Sequence, residues 1–191
     1  AVPLAPDALE LSLTLLLEGA YTGTPLMTAS LVSDGHIPND QPYDGAAWGY
    51  AGTESVDPSF YTAHPEIIDW ILVRLRSGDP ATSMTVEAAR AAFLLEDGSV
   101  IDTSGTGPLL FPEVDPDSYW IEVIHRNHLA VMSAAAVDMS TGSAAYDFTN
   151  PSGQAYGLDC VAQPHFPPPS APLRTNITPP PTLPGASRPG A

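Results

Sequence analysis

Leucine occupies every odd position of one segment near the start of the chain, while most even positions there are polar. The apolar period is therefore two residues, which is typical of a β-strand with one buried face. We predict a strand over residues 9–17 whose inward side chains are Leu9, Leu11, Leu13, Leu15 and Leu17. The glycines at positions 19 and 23 end the pattern.

Further short segments have alternating or strand-like composition. Residues 86–95 contain several alanines and resemble a helix, but Asp97-Gly98 follows them, and this dipeptide favours a hairpin. The expected strands are 67–76, 86–95, 99–102, 119–125, 134–139 and 145–148, with 26–32 as a short strand or an irregular edge. They predict an all-β fold, an antiparallel β-sandwich of immunoglobulin-like or jelly-roll type.

The chain divides into a body and an arm. Residues 1–160 carry all 22 acidic residues, whereas residues 161–191 carry none and hold ten of the 22 prolines. The body includes an irregular excursion over residues 33–64, and a connection of this length is usually functional or a covering flap. We predict a sandwich domain over 1–160 and an extended Pro-rich arm over 161–191.

Charge and composition exclude several classes of function. The net charge is −16, which argues against nucleic acid and anionic membranes as partners. Cys160 is the only cysteine, so neither an internal disulfide nor a thiolate metal cage is expected. No apolar run approaches the roughly 20 residues that span a bilayer. The opening Ala1-Val2-Pro3 resembles a processed terminus, which predicts an extracellular or cell-surface protein.

Two groups of residues are candidates for metal binding. His125 and His128 carry imidazoles, but residues three apart on a strand face opposite sides, so we expect a hydrogen-bonded structural corner instead. Asp34, Asp40 and Asp44 are oxygen ligands suited to calcium, but they lack the spacing of a helix-loop-helix site. The alternative is a solvated acidic loop, and no resident cofactor is expected.

Carboxylates and aromatic residues that could act on or bind sugars are present, but the sequence does not group them into a site. Asp69, Glu96, Asp97, Asp102 and Glu122 are carboxylates of the kind that flank a glycosidic bond, but the sequence brings no two of them together. We therefore predict no enzyme. Aromatic residues in the excursion could line a sugar platform or cover the core; these are Trp48, Tyr50, Phe60 and Tyr61.

Assembly candidates lie at both ends of the chain. The leucine strand could add to the sheet edge of a neighbour, whereas the arm has the longer reach and attracts the acidic body through Arg174 and Arg188. We favour an arm that packs on a neighbouring subunit, with Phe166 and Leu173 as its apolar contacts. Asn176 begins an N-glycosylation sequon, and the hydroxyls among the prolines are further glycan acceptors: Ser170, Thr175, Thr178, Thr182 and Ser187.

A set of motifs between residues 9 and 149 resembles, in order and spacing, an uncharacterised domain near the C-terminus of large secreted proteins of environmental bacteria. The motifs are Leu13-x-x-x-Leu17-Glu18-Gly19-x-Tyr21, Leu26-Met27, Asp69-Trp70-Ile71-Leu72-Val73-x-Leu75-Arg76, Leu94-x-x-Asp97-Gly98, His125-Arg126-Asn127-His128-Leu129-x-Val131-Met132 and Asp147-Phe148-Thr149. The resemblance implies an extracellular β-rich accessory module and supplies no catalytic residues. This chain departs from the family pattern by ending in the Pro-rich arm.

A single module with such an arm is similar to the subunits of glycan-decorated bacterial surface filaments. The expectation is an extracellular structural subunit that polymerises head to tail through a terminal extension docked on the next copy. The alternative is a carbohydrate-binding or adhesive module of a secreted protein.

Overall fold

The computed structural model describes residues 8–23, 26–149 and 154–156. The elements are β1 (Leu9–Thr14), α1 (Ser30–Ser33), α2 (Ser59–Ala63), β2 (Ile67–Asp79), β3 (Ser83–Leu95), β4 (Val100–Ile101), β5 (Leu109–Phe111), β6 (Ser118–Ile124), β7 (Val131–Met132), β8 (Val137–Asp138) and β9 (Ser143–Asp147). They form two packed sheets, which confirms the predicted all-β sandwich.

The small sheet has the order β5-β1-β9. β1 runs antiparallel to β5, with Leu9 opposite Phe111, and parallel to β9, with Leu11 opposite Ala144. The large sheet has the order β4-β3-β2-β6-β7, and β8 also pairs with β6. The antiparallel pair of β2 and β3 is therefore the longest pairing in the large sheet.

One core fills the space between the two sheets. The five odd-numbered leucines of residues 9–17 are at most 7% exposed, and they pack with Ile71, Val73 and Phe111. The polar Glu10 and Ser12 point to solvent, so the predicted inward and outward alternation is confirmed.

A second core lies on the opposite face of the large sheet. Residues 33–64, called the flap from here on, cover that face. Tyr43 from the flap packs there with Trp70, Leu72 and Phe93, all of them fully buried. β2 is therefore buried on both faces, which explains the continuous apolar run in its sequence.

The sharp turn after β3 follows the sequence prediction. Gly98 has φ +86°, a conformation that glycine adopts without steric cost, and Asp97 Oδ1 accepts a hydrogen bond from the Ser99 N–H at 2.9 Å. β3 and β4 pair across this turn, with Phe93 opposite Ile101. The strand prediction for residues 86–95 was correct despite the alanines.

Several strand bounds differ from the structure. The predicted strand 9–17 ends at Thr14. Residues 26–32 form the irregular edge rather than a strand, with one bridge from Tyr21 to Met27 before α1 begins. Of the predicted strand 134–139, only β8 (Val137–Asp138) is present. β5 was not predicted, since a strand of three residues is too short for a period of two to be recognised. In the residues that the structure describes, no helix is long and apolar enough to cross a membrane.

Candidate functional site

Residues 125–128, of sequence His-Arg-Asn-His, form a hydrogen-bonded corner at the end of β6. The carboxylate of Asp69, which is 1% exposed, lies at its centre. Arg126 donates two hydrogen bonds to this carboxylate, at 3.0 and 3.1 Å, and His125 Nε2 lies 3.1 Å from it. The Trp70 N–H donates another at 2.8 Å. The corner therefore ties β2 to the end of β6.

His125 and His128 meet, contrary to the alternation argument, because the strand has already ended at Ile124. Their Nδ1 atoms are 2.8 Å apart, and the Asn127 N–H donates to His125 Nδ1 at 3.2 Å. Since His125 Nδ1 accepts a hydrogen bond, its Nε2 carries the proton and donates it to Asp69. Both nitrogens of His125 are thus engaged in holding the turn, as expected for a structural corner.

The electrostatics of the corner favour an ionised Asp69 and disfavour protonation of His128. Burial acts to raise the pKa of Asp69, but the hydrogen bonds from His125 and Trp70 and the charge of Arg126 outweigh it and hold the pKa below its usual range. Burial, followed by repulsion from His125, lowers the pKa of His128. At neutral pH these contacts stabilise the attachment of β2 to the end of β6.

The predicted calcium ligands are not assembled into one site. Asp34, Asp40 and Asp44 are all exposed, and Asp40 pairs with Ser55 in an isolated bridge. Over residues 8–23, 26–149 and 154–156, no group of three or more His, Cys, Asp or Glu side chains is placed to hold a metal ion. The described acidic loop is a solvated surface.

The carboxylates considered for glycoside chemistry are mostly engaged with cations or backbone amides. Asp69 binds the corner, and Glu122 pairs with Arg74 at 3.3 Å and Arg76 at 2.9 Å. The two turn residues accept from the backbone two positions later, Asp97 from Ser99 at 2.9 Å and Asp102 from Ser104 at 2.7 Å. Each of these four carboxylates has a structural role.

The four flap aromatics pack into the second core. Trp48, Tyr50, Phe60 and Tyr61 are all partly buried against it. The ring centroids of Phe60 and Tyr61 lie 5.2 and 5.9 Å from that of Phe93. These aromatics therefore cover the sheet, as the second interpretation of the sequence expected.

The outer edge of β3 is open over most of its length. β4 pairs with it only at Phe93 and Leu94, and in the described part of the chain no other strand joins that edge. The Ala91 N–H points outward and donates to the Tyr50 hydroxyl at 3.2 Å. On this edge, residues 83–90 thus present main-chain groups that no strand of the described chain pairs with, although the register with β2 shifts between Val86 and Ala88. Unpaired edges of this kind accept an added strand.

An open groove of about 600 Å³ follows this edge and is called the edge groove below. It is lined by flap residues 50–54, β3 residues 86–90 and Glu113. Val86 is 43% exposed and supplies apolar surface. A Cβ at Gly52 would overlap the ends of the Tyr50 and Glu54 side chains, so a larger residue there would displace them.

The edge groove is acidic. Glu54, Glu87 and Glu113 line it with a single cation, Arg90, which pairs with Glu113 at 2.6 Å and donates to the Ala89 carbonyl at 3.0 Å. Oε2 of Glu54 is buried and has no hydrogen-bond partner among the described residues. The groove is therefore suited to an extended, basic ligand that brings hydrogen-bond donors.

The last described residues lie at the other edge of the large sheet. Residues 154–156 run beside β7, because the Tyr156 N–H donates to the Met132 carbonyl at 2.8 Å and the Ala134 N–H to the Gln154 carbonyl at 3.0 Å. In the sheet order, β2 and β6 separate this edge from β3. The described chain therefore ends at the edge opposite the groove.

The two predicted assembly elements differ in what the structure describes. β1 is paired on both sides and its leucines are buried in their own sandwich, so it has no free edge within one chain. Donation of this segment would require exchange of the whole strand between copies. The arm candidates lie outside the described residues: Phe166, Leu173, Arg174 and Arg188, and for glycan Ser170, Thr175, Asn176, Thr178, Thr182 and Ser187.

The edge groove was not predicted from the sequence. Its lining comes from the flap, from β3 and from the segment after β5, which are far apart in the chain. One local sign was present: residues 83–90 are mostly small, polar or charged, apart from Met84 and Val86, and they lie between two more apolar stretches. Such a composition is typical of an exposed sheet edge.

Comparison with known proteins adds no relative. No protein-family model, no curated protein and no solved structure matches this chain.

Proposed function

We propose that this chain is an extracellular structural subunit that polymerises head to tail into a surface filament. The arm of one subunit docks on the body of the next, and Asn176 and the neighbouring hydroxyls are acceptors for glycan. In this proposal the chain is not an enzyme, and its partners are copies of itself.

The placement of the edge groove is the observation that carries the proposal. The groove lies along the β3 edge of the large sheet, whereas Tyr156, after which the arm follows, lies at the β7 edge. A contact that joins opposite edges of two copies is heterologous and leaves each added copy with a free site. Such a contact extends into a fibre unless its rotation closes a ring.

Charge supports the same arrangement. The arm carries Arg174 and Arg188 and no acidic residue, while the edge groove has three carboxylates and one arginine. Oppositely charged surfaces attract over roughly 8–10 Å at physiological ionic strength. The arm is therefore drawn to a neighbouring body, and high salt should slow the encounter.

The test is electron microscopy of the purified chain beside a form that ends at Cys160. We expect fibres from the full chain and single particles from the shortened one, with the same melting temperature for both bodies. A charge-reversed arm, Arg174→Glu with Arg188→Glu, should assemble poorly, and the matched Arg174→Lys with Arg188→Lys should retain assembly. Fibres from the shortened chain would refute the role of the arm.

A carbohydrate-binding or adhesive module is the second proposal. A separate open groove of about 610 Å³ in the flap is lined by Tyr61, Pro58 and Asn39, which together offer a ring and an amide to a sugar. Binding of a defined glycan on an array, abolished by Asn39→Ala and kept by the exposed control Asp44→Ala, would favour this module over the filament.

A further inference from the structure

The arm contains one segment with the pattern of a strand. Residues 173–178 are free of proline and lie directly between Pro172 and Pro179. Leu173, Thr175 and Ile177 alternate with Arg174, Asn176 and Thr178. Three of the six residues are β-branched, Thr175, Ile177 and Thr178, which favours an extended strand, and the flanking prolines limit its length to six residues.

We propose that residues 173–178 of one copy add as a strand to the outer edge of β3 in the next copy. This inference rests on the proposed function and assigns both the docked segment and the surface that receives it. Main-chain hydrogen bonds provide the pairing, and side chains that enter the edge groove provide the selectivity.

The lengths agree. Six extended residues span about 20 Å, and the open part of β3, residues 83–90, is slightly longer. The pairing cannot continue past Arg90 on this edge, because the Ala91 N–H is already bonded to Tyr50. The flap thus sets one limit of the added strand, and the prolines of the arm set the other.

The edge offers acceptors that a strand can use. Outward-facing main-chain groups alternate along a strand, so Ala89 points to the same side as Ala91. The Ala89 carbonyl accepts a bond from the Arg90 side chain at 3.0 Å. An incoming N–H would replace that bond, while Arg90 keeps its ion pair with Glu113 at 2.6 Å.

The side chains match the groove. Arg174 is the single charged residue of the segment, and the groove presents the exposed carboxylates of Glu87 and Glu113. Leu173 and Ile177 share one face of the segment, and the exposed Val86 supplies apolar surface for that face. A basic, half-apolar strand fits this edge better than a segment of consecutive prolines.

The position of the arm favours a second copy as the receiving body. Residues 157–172 connect Tyr156, at the β7 edge, to the segment. To reach its own β3 edge, the arm would have to pass around the small sheet or the flap, which cover the two faces of the large sheet. A neighbour presents its β3 edge without that obstacle.

The experiment is disulfide trapping between two full-length chains, both with Cys160→Ser. One chain carries an edge cysteine, Thr85→Cys or Val86→Cys, and the other carries Thr175→Cys in the arm. A cross-link between the two chains can form only between copies. We expect at least about tenfold more cross-linked dimer than with the arm control Thr182→Cys, since disulfides need Cα atoms within about 7 Å.

Two results would overturn the inference. Equal trapping at positions 175 and 182 would mean that the segment does not pair at this edge. Trapping found only when both cysteines are in one chain would place the segment on its own body. Thermal melting of each variant shows that the bodies are folded.

A second variant separates this inference from the proposed filament. Thr175→Pro with Asn176→Pro removes two consecutive main-chain N–H groups. Because adjacent N–H groups of a strand point to opposite sides, one of the two must face the β3 edge, whichever way the segment is placed. We expect about tenfold less assembled protein. The control, Thr182→Pro with Ser187→Pro, should assemble normally. Unchanged fibres from the first variant would refute strand pairing and leave the filament standing, whereas specific trapping without fibres would refute the filament and leave the pairing standing.

Discussion

The two faces of the large sheet are covered in different ways. On one face the small sheet provides regular strands and aliphatic side chains, whereas on the other the flap provides aromatic rings on an irregular backbone. The flap is anchored by side-chain bonds, such as those of Trp70 Nε1 and Tyr61 Oη to the Pro38 carbonyl at 2.8 and 2.6 Å. A cover made of strands depends on many similar bonds, while this cover depends on a few specific residues.

The largest expected effect comes from the residue on which the flap is packed. Trp70→Ala removes a fully buried ring that contacts Phe93 at 3.9 Å between centroids, and it should cost about 3–5 kcal/mol of unfolding free energy. Urea unfolding followed by circular dichroism measures this loss. Trp120→Ala, at a partly exposed tryptophan of β6, is the control and should cost much less. Equal losses would contradict the packing of the flap described above.

A matched substitution in the core between the two sheets should destabilise the whole domain. Leu11→Ala removes a fully buried side chain of the central strand, and we expect a loss of about 3 kcal/mol. Limited proteolysis distinguishes the two faces: Trp70→Ala should open cleavage sites within the flap first, whereas Leu11→Ala should expose the whole body at once. The opposite order of cleavage would remove the distinction between the two covers.

The corner at the sheet margin adds a pH-dependent contribution. Asp69→Asn leaves Arg126 and His125 without their charged acceptor, and we expect a loss of about 2 kcal/mol at pH 7 after allowance for the part-exposed Arg126. Because the folded pKa of Asp69 lies below its unfolded value, its contribution is present above the unfolded pKa near 3.8 and disappears as the pH falls through the folded pKa.

The pKa of His128 is lowered in the folded state, so the unfolded chain gains protons first as the pH falls below about 6.5, and stability decreases further. His128 is present in both chains, so the difference between them reports on Asp69: the melting temperature should fall more for the wild-type chain than for Asp69→Asn as the pH falls below 3.8. Parallel curves would show that Asp69 does not titrate as described.

The smallest effect should come from one hydroxyl of the flap. Tyr43 Oη donates to the Trp70 carbonyl at 2.7 Å, and burial, supported by the nearby charge of Asp69, raises the pKa of this phenol. Tyr43→Phe keeps the ring and should cost about 1 kcal/mol. Hydrogen exchange should accelerate in flap residues 38–58 and stay unchanged in β1. Uniform acceleration would mean that the flap and the sandwich open as one unit.

The parts of the fold that sequence analysis predicted are those with a local cause. The period of two in residues 9–17 follows from a strand with one buried face, and Asp97-Gly98 follows from a turn that needs positive φ. The strand β2 was recognisable as a buried run because both of its faces are covered.

The parts that were missed have long-range causes. The parallel pairing of β1 with β9 joins residues from opposite ends of the described chain, and no local pattern encodes it. The meeting of His125 with His128 depends on the position where β6 ends, within one residue. The edge groove depends on how the flap lies against β3. The only local sign of it is the mostly small, polar or charged composition of residues 83–90 in β3.

The central position of β1 in the small sheet also affects the order in which the strands pair during folding. The long β2–β3 hairpin forms from neighbouring segments, whereas the small sheet needs the first strand to find a partner made near the end of the body. Pairings between distant segments form slowly, because their loops must close first. Until β9 is in place, one edge of β1 has no partner, and in that interval the β9 of another chain can pair with it. Strand-exchanged dimers are therefore the misfolded product to expect when refolding is fast and concentrated.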